Sequence, residues 1–158
     1  MIKRVIPACI AALTIFGNGG VAHAEDPTQT ATRVLYAYED AWSHHDAKAI
    51  AGLYAEPAIR VSVNGPIVRE TQAAQTVFFN GLLTSLVNQG YERSTWDHLE
   101  VHLLDSHTAI ASGVVARYRA NGSVFQRQAV TYGLWDTTRG WRIFFSATHQ
   151  PGSELHFR

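Results

Sequence analysis

Residues 94–149, STWDHLEVHLLDSHTAIASGVVARYRANGSVFQRQAVTYGLWDTTRGWRIFFSATH, decide the fold. They read as four long strands with turn chemistry at every break. The first runs from Ser94 to Leu104 and sets Leu99, Val101 and Leu103 against Trp96, His98, Glu100 and His102. Alternation of this kind places the two sets on opposite faces of a sheet. Asp105-Ser106-His107 interrupts it, and Thr108 to Arg119 alternates again, with Ile110, Val114 and Tyr118 on one side and Ala109, Ala111 and Val115 on the other. Asn121-Gly122 then marks a hairpin, since such pairs accept the positive φ angles of a tight turn. Ser123 to Trp135 forms a third strand, Thr137 to Gly140 a turn, and Trp141 to Thr148 a fourth strand. Three successive hairpins make an antiparallel meander. Both faces carry apolar residues, so one must be covered by helices from upstream.

Upstream, Asp26 and Pro27 have the chemistry of a helix start. Ala31, Val34, Leu35, Tyr38, Ala41 and Trp42 then recur at spacings of three and four, predicting a helix over 28–44 with one wide apolar stripe. Asp46 caps a second helix from Ala47 to Tyr54, which Glu56-Pro57 ends. Ala58 to Val63 alternates as a short strand, Asn64-Gly65-Pro66 turns, and Ile67-Val68-Arg69 returns beside it. Thr71 caps a third helix running to Gln89, with Ala74, Val77, Phe78, Leu82 and Leu86 on its inner face. Gly81 within it suggests close packing against a neighbour. No repeat or linker divides residues 25–158, which are read as one α+β domain.

The chain has 158 residues, with 13 basic side chains against 13 acidic ones. That balance provides no basic face for nucleic acid. Residues 1–24 have the pattern of a secretory signal: Lys3 and Arg4, an apolar run from Val5 to Phe16, and Ala22-His23-Ala24 before Glu25. An exported protein, periplasmic or secreted, is expected, with cleavage after Ala24 and no membrane association thereafter. Cleavage removes Lys3, Arg4 and Cys9, leaving 11 basic residues against 13 acids and no cysteine. Disulfides and thiol chemistry are then excluded, and Lys48 is the one remaining lysine.

The element order, together with Ala49-Ile50-Ala51-Gly52-Leu53-Tyr54-Ala55-Glu56-Pro57-Ala58 and Gly140-Trp141-Arg142-Ile143, resembles the nuclear transport factor 2-like superfamily in its SnoaL-like and ketosteroid-isomerase-like branch. The resemblance implies a cone: three N-terminal helices packed on a curved antiparallel sheet, with a pocket between them and a homodimer formed through the sheet. It also places Tyr38 at the steroid isomerases' oxyanion tyrosine, but Ser62 where they carry the aspartate base and Thr131 near their protonated aspartate. Serine has no basicity near neutral pH, so steroid isomerisation is not expected. The arginine and paired aspartates of epoxide hydrolases are not found either.

A small, largely apolar ligand is therefore expected in a pocket lined by Tyr38, Trp42, Tyr54, Phe78 and Trp96, oriented by His98. An alternative is a lyase or isomerase in which Tyr38 polarises a carbonyl and His98 moves the proton. A third is a dimeric interaction module. No cofactor is called for, and no metal site is expected: His98 and His102 are separated by about 13 Å along a strand, too far to share one ion. His44 and His45 are read as helix-end residues, and Arg117, Arg119 and Arg127 as a solvated hairpin end.

Overall fold

The computed structural model describes residues 25–157; the expected signal segment, 1–24, lies outside the described residues. Asp26 accepts a hydrogen bond from the Thr28 amide at 2.9 Å and opens α1, Pro27–Ser43. Its buried face is Ala31, Leu35, Tyr38, Ala41 and Trp42, within the predicted stripe. Asp46 accepts from the Ala49 amide at 2.9 Å and caps α2, Ala47–Gly52. This helix is shorter than expected. Tyr54 does not end it but opens a strand, because the Ile143 amide donates to the Leu53 carbonyl at 2.9 Å and draws the chain into the sheet.

β1 (Tyr54–Ser62) turns into β2 (Gly65–Arg69), and Thr71 then caps α3, Gln72–Asn88, accepting from the Ala74 amide at 3.2 Å. The inner face of α3 differs from expectation. Gln75, Phe79, Leu83 and Leu86 are buried, Phe78 and Leu82 half-buried, and Val77 is 74% exposed. Apolar residues lie all round this helix, so two overlapping stripes compete and the tertiary fit chooses between them. Gly81 faces open space rather than a close neighbour.

Four strands follow: β3 (Arg93–Leu103), β4 (Thr108–Tyr118), β5 (Val124–Thr137) and β6 (Gly140–His149). The six strands form one sheet in the order β2-β1-β6-β5-β4-β3, antiparallel throughout except where β1 lies parallel to β6. The meander is as the alternation predicts. The β4–β5 connection is longer than a two-residue turn: the Arg119 amide donates to Ser123, and Gly122, at φ 81°, supplies the left-handed residue. The helices cover one face of the sheet, and Trp42, Tyr54, Phe79, Tyr91, Tyr132, Leu134 and Ile143 meet between the layers. No helix of the described residues is long and apolar enough to cross a membrane.

One irregularity re-aims the first long strand. Trp96 pairs with Val115 while His98 pairs with Val114, so Asp97 is an extra residue, a β-bulge. Trp96 therefore faces the helices together with Leu99, Val101 and Leu103, and His98, Glu100 and His102 face outward. Simple alternation had put Trp96 with the histidines; one inserted residue separates them.

Candidate functional site

The hollow between α1 and the inner face of the sheet begins at three phenols. Tyr38 from α1 has its hydroxyl 3.1 Å from that of Tyr54, and its ring meets Trp42, Tyr54 and Tyr132 edge-on at centroid distances of 6.1, 5.8 and 5.7 Å. Burial pushes Tyr54 and Tyr132 well above the usual tyrosine pKa, with the neighbouring Tyr38 adding to the shift. Both remain neutral O–H groups. Trp96 closes one wall, its indole N–H donating to the Leu35 carbonyl at 3.3 Å and its ring standing edge-on to Tyr132.

These groups border an inner chamber of about 20 Å³, room for about one water, whose polar lining includes Glu39, Arg60, Ser94, Arg117, Gln128 and Ser146. A wider vestibule of about 520 Å³ lies between the C-terminal half of α3 and the β4–β5 hairpin. Leu82, Leu86, Gln89, Phe125 and Gln126 line it. Arg60, Arg117 and Gln128 line both spaces and so form the neck between them.

Arg117 is not part of a solvated hairpin end. It faces inward, its guanidinium 5.1 Å from the Trp42 ring and 5.9 Å from that of Tyr91, with Nη1 donating to Gln126 Oε1 at 3.1 Å. Burial lowers its pKa from the usual arginine value, yet an arginine in a protein keeps its charge. Among the described residues neither Arg60 nor Arg117 has a carboxylate within 4.0 Å, and the buried Nε of Arg117 has no hydrogen-bond partner. Arg127, by contrast, pairs with Asp97 at 2.7 Å on the surface, as the solvated reading expects. Glu39 is the acid of the chamber. Burial raises its pKa, opposed by a hydrogen bond from the Trp96 backbone.

The expected site residues divide. Tyr38, Trp42 and Trp96 line the chamber, and Tyr54 stands behind Tyr38 as its hydrogen-bond partner. Phe78 does not reach it: its ring lies under the Arg69 guanidinium at 3.6 Å, and Phe79 takes the inner position against Trp42 and Tyr54. His98 is on the outer face beside Glu100, so it cannot act with Tyr38. Sequence reasoning missed Glu39, Arg60, Tyr132 and the inward course of Arg117. Alternation contained a signal for two of them, since Arg117 continues the Ala109, Ala111, Val115 set and Tyr132 stands between the buried Val130 and Leu134.

A helix-roofed cone with an internal, partly polar hollow is the architecture of NTF2-like proteins. The family model described as NTF2-like protein (DUF6841) matches residues 25–151, and the chain belongs to that family. Among solved structures, an NTF2-like protein with a cystatin-like fold from Novosphingobium aromaticivorans superposes with a TM-score of 0.66 at 17% identity, over 79% of this chain and 82% of that one. An NTF-2 like protein of unknown function from Shewanella oneidensis gives 0.64 at 18%, over 79% and 100%. A ketosteroid isomerase-like protein from Erwinia carotovora atroseptica gives 0.60 at 13%, over 79% and 96%. At these identities the likeness is one of fold. No curated protein matches the chain.

Proposed function

We propose that this protein binds a small organic acid, with an apolar body in the vestibule against Leu82, Leu86 and Phe125 and its anionic group at the neck between Arg60 and Arg117. The carrying observation is that pair of arginines, without a carboxylate partner, at the junction of the two spaces. Two like charges facing one constriction repel, and an anion between them relieves the repulsion while satisfying the idle Arg117 Nε. The largely apolar ligand expected from the aromatic residues thus gains a charged end. A thermal-shift panel of aryl and alkyl carboxylates beside their neutral methyl amides tests this. The acids raise the melting temperature, the amides do not, and Arg117→Met removes the difference. Equal shifts for acid and amide, or none for either, overturn the reading.

A proton-transfer enzyme, lyase or isomerase, is the second reading. It is favoured by Glu39, whose raised pKa suits a base, lining the same chamber as the Tyr38 phenol. It replaces His98 with Glu39 in the proton-moving role. Glu39→Gln abolishes deuterium exchange at the carbon next to the ketone of a bound keto acid if it holds. Exchange unaffected by that substitution refutes it.

We further infer that two copies associate through the outer sheet face, where Ile59, Trp135 and Phe144 are 38%, 53% and 36% exposed. Sedimentation velocity finds a dimer that Trp135→Lys splits; a monomer at micromolar concentration refutes it. Export is proposed on residues 1–24 alone, and N-terminal sequencing of the exported protein then begins at Glu25.

A further inference from the structure

Beyond β6 the chain turns at Gln150–Ser153 and runs back over the outer face of the sheet. Three contacts hold it there. The Leu155 amide donates to Ser112 Oγ at 3.0 Å, the Phe157 amide donates to Glu100 Oε2 at 3.0 Å, and the Phe157 ring stacks on His102 with centroids 5.3 Å apart and planes 15° from parallel. Between the two anchored amides lies His156. Its Nδ1 comes within 3.4 Å of Glu100 Oε1, the same oxygen that His98 Nε2 approaches to 2.9 Å. One nitrogen from each imidazole and one oxygen of Glu100 all lie within 4.8 Å of one another.

We propose that His98, Glu100 and His156 bind a zinc ion on the outer face of β3, joining the C-terminal tail to the sheet. Four features support it. The donor set is two imidazoles and a carboxylate, one that zinc accepts with water in the fourth position. The spacing suits one ion, because a tetrahedral ion about 2.0–2.1 Å from each donor holds the donors roughly 3.3 Å apart, the two nitrogen–oxygen separations, 2.9 and 3.4 Å, straddle that value, and the two ring nitrogens lie within 4.8 Å of each other. The carboxylate is already oriented, since the Phe157 amide occupies Oε2 and leaves Oε1 toward both rings. Lastly, the imidazole side chains are 45% and 69% exposed, which gives an ion a path and the water a place.

The distance that separates His98 from His102 along β3 excludes them as a pair, and the tail supplies the third ligand that the strand cannot. His102 instead serves as the platform on which Phe157 stacks. This site is on the opposite face of the sheet from the arginine neck, so it stands or falls independently of the organic-acid reading.

The test is calorimetric titration of the untagged full chain with zinc chloride in a weakly coordinating buffer, with magnesium and calcium as comparison ions. One zinc per chain is expected, with no uptake of magnesium or calcium. His98→Ala and His156→Ala each weaken zinc binding at least tenfold, while His107→Ala, at a distant turn, leaves it unchanged. In the unaltered chain zinc shifts the imidazole NMR resonances of His98 and His156 ahead of other histidines, a readout that needs no substitution. Absence of zinc uptake, or uptake that survives both His98→Ala and His156→Ala, overturns the proposal.

Discussion

Replacing Gly113 by alanine strikes the feature on which the facing of β3 depends. Gly113 lies opposite Leu99, the second pair past the bulge at Asp97. A Cβ added there collides with the His98 carbonyl oxygen and meets Leu99 Cα at 3.0 Å and the His98 carbonyl carbon at 3.1 Å. All three are backbone atoms, so no rotamer change relieves the contact and β3 itself must move. Overpacking of this kind costs about 1–3 kcal/mol, and the rigidity of the obstacle places this case at the upper end. The reduced freedom of alanine in the unfolded chain returns only about 0.4–1 kcal/mol, so the net loss is roughly 2 kcal/mol. For a domain of this size that lowers the melting temperature by about 6–10 °C. Gly81→Ala is the matched comparison. Its Cβ meets nothing, it sits on the exposed side of α3, and alanine there gains about 0.5–1 kcal/mol in helix propensity. Urea unfolding followed by tryptophan fluorescence reads both. The same substitution should move the midpoint in opposite directions at the two sites, with an unchanged slope. A neutral or stabilising Gly113→Ala refutes the bulge as described, and with it the separation of Trp96 from His98.

Tyr38→Phe deletes the hydroxyl bonded to Tyr54 and strands a buried phenol, so it destabilises by about 1–2 kcal/mol in the same assay. Stability also falls in alkali. The folded-state pKa of Tyr54, Tyr91 and Tyr132 is raised, chiefly by burial, so the folded chain holds these protons more tightly than the unfolded one. Their contribution is whole below the ordinary tyrosine pKa of about 10 and drains away as pH rises beyond it; absorbance near 295 nm should show these three ionising only as the circular dichroism signal collapses. Asp46→Ala removes the cap of α2 and costs about 1 kcal/mol by thermal melting, whereas Asp46→Asn retains most of it.

The strands and their turns were legible because period-2 alternation is a local signal, and the caps Asp26, Asp46 and Thr71 were legible because capping chemistry spans only three residues. What escaped needs distant partners. Asp97 is one inserted residue in an otherwise regular strand, visible only against the spacing of β4. The inner face of α3 was decided by what Phe79 could meet, not by the helix's own pattern. Tyr54 had a helical neighbourhood, and pairing with Ile143, 89 residues later, overrode it. Of the pocket, the aromatic wall was read from Tyr38, Trp42 and Trp96. The arginine neck was not, because charged residues near a hairpin are ordinarily solvated and only the third dimension brings Arg60 to Arg117. The approach of His156 to Glu100 belongs to a tail without regular structure, for which periodicity offers nothing.

The parallel ladder between β1 and β6 has a consequence for how the molecule comes into being. β1 acquires its inner neighbour only after Gly140–His149 has emerged from the ribosome, so α1, α2 and α3 have no completed wall to settle on until then. Closing so long a span before any reward is gained slows assembly. A nascent chain stopped short of residue 140 would therefore leave β1 paired on one side alone, a bare rim open to a chaperone or to another unfinished copy.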